Sequence, residues 1–328
     1  MTEDEVVEAI GALCKSEPGL GGRIVLGIGD DAALWRPSRS HLSAISSDML
    51  VEGVDFTDSL MGLEDAGWRA MAANVSDLAA MGARPVLATV ALGAARERGA
   101  RELLECYRGI AAAAQHWYLS IAGGDLSRAP VLTLAVTVVG EVRASNAKRR
   151  DGAHPGDVLA VTGPLGNARA GFELARDAKL NVGGELRAQA LNAFRRPEAR
   201  LAEGRFLAAS RNVRALMDCS DGLSTDVARL VAASRCGAAI ETVPVADAAR
   251  AVAQMLDENP ERFVLGAGED FELIVAVRAA SFRHLAARYR ARFGRDLIRI
   301  GSLVAKPGIT WNGAPLERSG WDHFAGGD

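Results

Sequence analysis

The run Arg214-Ala215-Leu216-Met217-Asp218-Cys219-Ser220-Asp221-Gly222-Leu223, with the residues that follow it, decides the fold class. Arg214–Met217 is short and mostly apolar and reads as a strand. From Leu223 to Ser234 the residues Leu223, Val227, Leu230 and Val231 recur at helical spacing. An acid-rich turn ending in Gly222 joins the two. A strand that turns through Asp and Gly into an amphipathic helix is the building unit of an α/β protein.

Outward from this unit, strands and helices alternate in both directions. Toward the C-terminus, Phe271–Val277 reads as a strand, Ser281–Phe293 as a helix and Leu297–Val304 as a strand. Toward the N-terminus come a strand at Val158–Thr162 and helices at Gly166–Ala178 and Glu198–Ala209. Residues 143–155 are polar, basic and poor in apolar side chains, which places a domain boundary at their start. Before it lie a helix at Glu3–Lys15 and strands at Arg23–Gly27 and His41–Ser47. A helix follows at Glu64–Met81, carrying Trp68, Met71, Ala72, Val75, Leu78 and Ala79 on its apolar side and stopped by Gly82. A strand at Val86–Leu92, a helix at Glu97–His116 and strands at Leu119–Ala122 and Val131–Val142 complete this half. The expected architecture is α/β (α+β) in two domains, residues 1–142 and 143–328.

The 328 residues carry 38 Lys+Arg and 41 Asp+Glu, a net charge of −3, which argues against a general nucleic-acid or membrane-surface binder. Hydrophobic residues are 49% and charged residues 24%, the balance of a globular chain. The longest clean apolar run, Val131 to Gly140, falls short of the roughly 18 residues that span a bilayer. The acidic start Met1-Thr2-Glu3-Asp4-Glu5 lacks the order of a signal peptide. Cys14, Cys106, Cys219 and Cys236 form no CxxC pair and match no zinc spacing, so a reducing cytoplasm is the expected compartment.

The chemistry is expected where Asp recurs at the ends of apolar strands, beside Gly or Ser. The instances are Gly27-Ile28-Gly29-Asp30-Asp31, Ser46-Ser47-Asp48, Gly123-Gly124-Asp125, Asp218-Cys219-Ser220-Asp221-Gly222 and Gly266-Ala267-Gly268-Glu269-Asp270. Taken singly, each acid is accounted for by a turn, a helix cap or a solvated loop. Asp77 differs, because it lies within a largely apolar helix and shares a face with Asn74 and Met81. Buried there, its carboxylate needs an Arg or a cation. Taken together, converging carboxylates with neighbouring hydroxyls point to Mg²⁺ or Mn²⁺ completed by phosphate oxygens, rather than to zinc.

Other chemistries fit less well. Gly27-Ile28-Gly29-Asp30-Asp31-Ala32 formally matches a dinucleotide fingerprint, but its two acids repel a bare pyrophosphate. No Lys follows a Gly in a Walker A loop, and no kinase catalytic-loop pattern is present. The five His residues are scattered. Cys219, between Asp218 and Asp221, is expected to stay protonated. In Lys148-Arg149-Arg150, Lys148 reads as a solvated linker residue, whereas an Arg is placed to reach a phosphate. The helix start at Gly222-Leu223 offers N–H groups and a positive dipole end.

These clusters, in this order, resemble the thiamine-monophosphate kinase family of the aminoimidazole-ribonucleotide-synthetase-like ATP-binding superfamily. The residues that carry the likeness are Gly27-Ile28-Gly29-Asp30-Asp31-Ala32-Ala33, Ser46-Ser47-Asp48 and Asn74-Val75-Ser76-Asp77-Leu78-Ala79-Ala80-Met81-Gly82. Gly123-Gly124-Asp125, Asp218-Cys219-Ser220-Asp221-Gly222-Leu223, Gly268-Glu269-Asp270-Phe271-Glu272-Leu273 and Gly320-Trp321-Asp322-His323-Phe324 extend it over nearly the whole chain. The resemblance implies transfer of the γ-phosphoryl of ATP to thiamine monophosphate, giving thiamine diphosphate, assisted by several Mg²⁺ ions. It implies Asp31, Ser46, Ser47, Asp48, Asp77, Asp125, Asp218 and Asp221 as metal ligands. It implies Tyr107, Gly124, Asp125, Arg150 and Ser220 as ATP contacts, and Asp55, Glu269 and Trp321 as substrate contacts. It further implies an N-terminal ATP/Mg-binding domain with a mixed sheet that pairs across a homodimer, and a C-terminal α/β domain.

The chain departs from the family pattern at Asp55, where His is usual, at Leu126, where Thr is usual, and at Ala267, where Gly is frequent. Asp55 keeps a non-catalytic nucleotide sensor open as an alternative, beside another ATP-using enzyme of the same superfamily.

Overall fold

The computed structural model describes residues 2–14, 23–28 and 32–320. The chain divides into two units, residues 1–78 with 83–144 and residues 79–82 with 145–328.

The first unit contains α1 (Glu3–Cys14), β1 (Ile24–Leu26), β2 (Leu34–Trp35), β3 (Leu42–Val51), α2 (Leu63–Ala80), β4 (Arg84–Ala94), α3 (Ala100–His116), β5 (Ser120–Arg128) and β6 (Thr133–Val142). β1 and β2 form a small ribbon, and the other strands form a sheet in the order β3-β6-β4-β5. Only β4 and β5 run parallel. Side-chain alternation sets its two faces. Leu134, Val136 and Val138 of β6 are buried, whereas Thr133, Ala135, Thr137 and Val139 on the opposite face are half-buried. α2 and α3 cross through glycines. A Cβ on Gly67 would lie 2.1 Å from the Cys106 carbonyl oxygen, and one on Gly109 would lie 1.8 Å from that of Glu64. α3 begins at Ala100 rather than Glu97 because Gly99 caps it, its N–H donating to Glu102 Oε2 at 2.8 Å.

Glu141 of β6, only 5% exposed, ties β6 to the chain around β1 and β2. Its carboxylate accepts from Arg23 Nη1 at 2.8 Å and from the Ser38 N–H at 2.8 Å. The Arg23 hydrogen bond holds its pKa at about 2, well below the ordinary 4.5. Because the folded value is depressed, the stabilisation is present above pH 4.5 and is lost as pH falls toward 2. Glu141→Gln is expected to cost about 3 kcal/mol at pH 7, the scale for breaking a buried ion pair. Urea unfolding at pH 7 and pH 3 checks this, with the difference from the unsubstituted chain shrinking at pH 3.

The second unit opens with a 3₁₀ turn at Arg150–Gly152. Its regular elements are β7 (Asp157–Val161), α4 (Asn167–Arg176), α5 (Gly184–Arg195), α6 (Leu201–Ala208), β8 (Val213–Cys219), α7 (Leu223–Ser234), β9 (Gly237–Ile240), α8 (Asp247–Met255), α9 (Pro260–Leu265), β10 (Glu272–Arg278), α10 (Ala279–Phe293), β11 (Ile298–Val304), β12 (Gly308–Trp311) and β13 (Ala314–Pro315). Its seven strands lie in the order β13-β12-β9-β11-β7-β10-β8, antiparallel except for β12 with β9. Both faces of the sheet are covered. Leu159, Val161, Met217 and Ile274 pack with residues of α4, α5, α7 and α8, while Ala160, Leu216, Leu273 and Val275 pack with residues of α6 and α10. Burial on both faces explains why β10 reads as the unbroken apolar run Leu273–Val277.

The structure corrects one reading of this region. Lys148 is not a solvated linker residue but is 8% exposed, and its ammonium donates to the carbonyl oxygens of Ser210 at 3.0 Å and Val213 at 2.8 Å. These carbonyls replace water around the charge, and burial lowers its pKa from the ordinary value.

Candidate functional site

In the first unit neither Asp48 nor Asp125 sits at a strand end. β3 continues to Val51, so Ser46, Ser47 and Asp48 lie in its interior, paired with Val138, Thr137 and Val136 of β6. β5 likewise continues through Gly124 and Asp125, which pair with Val90 and Ala91. Cross-strand pairing carries both strands through polar stretches that end the apolar pattern in the sequence.

Alternation along β3 then sorts the donors. The Ser46 hydroxyl donates to Asp77 Oδ2 of α2. The Asp48 N–H donates to Asn74 Oδ1 at 3.1 Å, and Asn74, fully buried, donates back to the Ala70 carbonyl oxygen at 2.9 Å. Ser46, Asp48, Asn74 and Asp77 therefore form one group where β3 meets α2. Ser47 faces the other way, its hydroxyl 3.2 Å from the Val136 carbonyl oxygen and 2.9 Å from Thr137 Oγ1. Asp77 is half-buried, and among the described residues no Arg or Lys pairs with it.

Asp125 is exposed on the edge strand β5. Tyr107 of α3 is buried, and burial raises its phenol pKa, with Asp125 among the groups that add to the shift. Asp55 closes its own loop, since its Oδ2 accepts from the Val51 N–H at 2.8 Å and its N–H donates to the Val51 carbonyl oxygen at 2.9 Å. Asp30 and Asp31 lie outside the described residues.

In the second unit three chain segments converge on the start of α7. The first is Asp218-Cys219-Ser220-Asp221-Gly222, where Gly222 takes φ +110°, a conformation that a side chain would strain. The second is the loop 266–271, whose Glu269 N–H donates to the Ser220 carbonyl oxygen at 2.7 Å. The third is Ser319-Gly320. The Ser319 N–H donates to Ser224 Oγ at 3.1 Å and the Gly320 N–H to Thr225 Oγ1 at 3.0 Å. A Cβ on Gly320 would lie 1.9 Å from the Asp221 carbonyl oxygen. Trp321 lies outside the described residues. Arg150 is exposed in its 3₁₀ turn, and its carbonyl oxygen accepts from Ser234 Oγ at 2.6 Å.

Sequence reasoning did not single out Asp226, which organises this turn. It is fully buried in the first turn of α7, and its Oδ2 accepts from the N–H groups of Ser220 at 3.0 Å and Asp221 at 2.9 Å. Arg229 Nη1 bonds both Asp226, at 3.0 Å, and Asp221. Burial pushes the Asp226 carboxyl up to about 6. The missed signal was a charge set among Leu223, Val227 and Leu230, the apolar stripe of that helix. Asp218 is buried at the end of β8. Cys219 is fully buried, and its thiol pKa is raised well above the ordinary value, chiefly by burial and then by Asp226, Asp270 and Asp218. It is no nucleophile at neutral pH.

The donors in both units are carboxylates, hydroxyls and amides, a set suited to a hard divalent cation. Among the described residues no three His, Cys, Asp or Glu side chains are grouped so as to hold a metal ion.

The chain matches the AIR synthase related protein N-terminal domain over residues 29–142 and the corresponding C-terminal domain over residues 154–310. It is 36% identical over 297 residues to a thiamine-monophosphate kinase of Rhodopirellula baltica, covering 88% of this chain and 86% of the relative. The crystal structure of thiamine-monophosphate kinase from Stenotrophomonas maltophilia K279a superposes with a TM-score of 0.84 at 31% identity, covering 96% of this chain and 98% of that one. The structure of AaThiL complexed with AMPPCP and TMP superposes with a TM-score of 0.77 at 27% identity, covering 98% and 97%.

Proposed function

The chain belongs to the thiamine-monophosphate kinase family, and on that premise we propose that it phosphorylates thiamine monophosphate to thiamine diphosphate with ATP by direct in-line transfer. The observation that carries this reading is the oxygen-only group where β3 meets α2, with Asp77 bonded to the Ser46 hydroxyl and no basic partner among the described residues. A half-buried carboxylate so placed is open to a cation. We assign several Mg²⁺ ions to Asp31, Ser46, Ser47, Asp48, Asp77 and Asp125 of the first unit and to Asp218 and Asp221 of the second. Magnesium bound there supplies charge neutralisation for the phosphates. The Ser47 hydroxyl is engaged elsewhere, so we assign its role to its backbone carbonyl.

Tyr107, Gly124, Asp125, Arg150 and Ser220 are assigned to ATP, and Asp55, Glu269 and Trp321 to thiamine monophosphate. The acceptor is a phosphate oxygen that is already anionic at neutral pH. It attacks the γ-phosphorus, and the bond to the β–γ bridging oxygen breaks, leaving ADP. No general base is required. The residues hold two polyanions in line, and positioning supplies much of the rate. One Asp55 oxygen is spent on closing its loop, and the other is left for the cationic thiazolium.

We further assign the dimer role and most of the ATP and magnesium contacts to residues 1–142, and an α/β domain that completes them to residues 143–328. Ile45 and Met49 support the homodimer, because they lie 70% and 58% exposed on the edge strand β3, on the face away from α2. A cytoplasmic location is consistent with four free cysteines. No helix among the described residues is long and apolar enough to cross a membrane.

The test is product formation from ATP, Mg²⁺ and thiamine monophosphate, read by chromatography. Thiamine diphosphate is expected to appear with matching ADP and to vanish in EDTA. Nucleotide binding with no product would instead favour the sensor reading or another acceptor.

A further inference from the structure

The loop that carries Glu269 is held in a costly shape by a residue with no assigned role. Glu269 has φ +67° and Phe271 has φ +48°, both in the left-handed region that side chains with a Cβ avoid. A bulky residue there is an outlier, and such strain persists only where neighbours over-determine it. Asp270, between them, supplies the determination. Its Oδ2 accepts from the Gly166 N–H at 2.6 Å and its Oδ1 from the Ala168 N–H at 3.3 Å, at the N-terminus of α4. On the other side, the N–H groups of Glu269 and Phe271 donate to the carbonyl oxygens of Ser220 and Cys219 at 2.7 and 3.0 Å. One residue further on, Glu272 is 3% exposed and is bound by Thr162 Oγ1 at 2.5 Å, Arg200 at 2.8 Å and Arg295 at 2.5 Å. The loop is thus pinned to α4 through Asp270 and to the turn before α7 through its backbone.

We infer that Asp270 is a positioning residue for the acceptor: it fixes the Glu269 backbone so that Glu269 meets thiamine monophosphate, and it takes no part in nucleotide binding. The inference rests on the assignment of Glu269 to the acceptor made above. Neutralising the charge alone does not preserve the arrangement. In Asp270→Asn one carboxylate oxygen becomes an amide N–H₂, which faces the N–H of Gly166 or of Ala168 and cannot accept from it. One anchor is lost, and the strained backbone at Glu269 and Phe271 relaxes.

The experiment measures kinetics and binding on the full chain. For Asp270→Asn the KM for thiamine monophosphate is expected to rise at least tenfold, with kcat at saturation changed less than threefold and the KM for ATP unchanged. Hydrogen exchange at the Glu269 and Phe271 amides is expected to speed up. A purely structural role predicts a lower Tm with both KM values unchanged in the folded fraction, and that result would overturn the inference. So would an equal rise in both KM values. Should Asp270→Asn fail to fold, Asp270→Glu keeps the charge but shifts the loop by one methylene, and the same split is expected. Calorimetry with thiamine monophosphate and a non-hydrolysable ATP analogue separates the two ideas. Intact acceptor binding without turnover counts against the proposed activity, whereas acceptor binding unaffected by either substitution counts against Asp270.

Discussion

Asp77→Asn is expected to lower kcat by about 10³-fold, the scale for deleting one well-placed electrostatic contact, while leaving the fold intact. The two side chains have nearly the same volume. The Asn carbonyl oxygen can still accept from the Ser46 hydroxyl, which now donates to Asp77 Oδ2. Asn74, one turn earlier, keeps its hold on the Asp48 N–H and on the Ala70 carbonyl oxygen. What disappears is a negative charge with no basic partner among the described residues. If that charge holds magnesium, activity falls, the magnesium concentration for half-activation rises, and Tm is unchanged or higher. Full activity with an unchanged magnesium requirement would remove Asp77 from the ligand set. Unfolding would show instead that the carboxylate is structural.

The second large effect concerns stability. Gly109→Ala is expected to destabilise the first unit by about 3 kcal/mol, the upper end of the range for overpacking. At roughly 2–4 °C per kcal/mol for a unit of this size, Tm falls by about 6–12 °C. The sign is opposite to that of an ordinary helix, where Gly→Ala is favourable by roughly 0.5–1 kcal/mol. The reversal follows from the crossing of α2 and α3, where the added Cβ would lie 1.8 Å from the Glu64 carbonyl oxygen and 2.9 Å from the Trp68 nitrogen. Neither backbone atom can swing aside as a side chain would, so the helices must separate. Gly184→Ala is the internal control. That position opens α5 with no atom within 4 Å of the new Cβ, so its Tm is expected to hold or rise. Calorimetry of the two variants checks the contrast.

Much of this architecture was legible from periodicity. α7 runs from Leu223 to Ser234, as its apolar spacing requires, because a full amphipathic stripe is bounded by a glycine that no side chain can replace cheaply. Elements whose burial relies on small residues were not legible. α8 buries Ala248, Ala249, Val252 and Ala253 at helical spacing, but three of the four are alanines, which carry little apolar signal, and β9 is only Gly-Ala-Ala-Ile. α5 starts at Gly183-Gly184, which reads as a loop. β12 and β13 are held by pairing to distant strands and to each other, which no local pattern reveals. At the site, residue types and order single out Asp48, Asp77, Asp218 and Asp221 as candidates, but not which way each faces. Ser46 and Ser47 look equivalent in the sequence, and strand alternation sends their hydroxyls to opposite faces of β3. Lys148 was misread because its partners are carbonyls of Ser210 and Val213, which carry no signature in a sequence.

The convergence of residues 218–222, 266–271 and 319–320 on the first turn of α7 also bears on how the protein is made. Contacts that join segments 49 to 95 residues apart close large loops, and closure entropy must be met before those contacts contribute. A ribosome that has delivered β8 and α7 has supplied the acidic turn but neither of the segments that brace it. The turn cannot be completed until Gly320 has been synthesised and has left the exit tunnel. Nascent chains arrested before that point are expected to hold a compact first unit beside an unfinished second one.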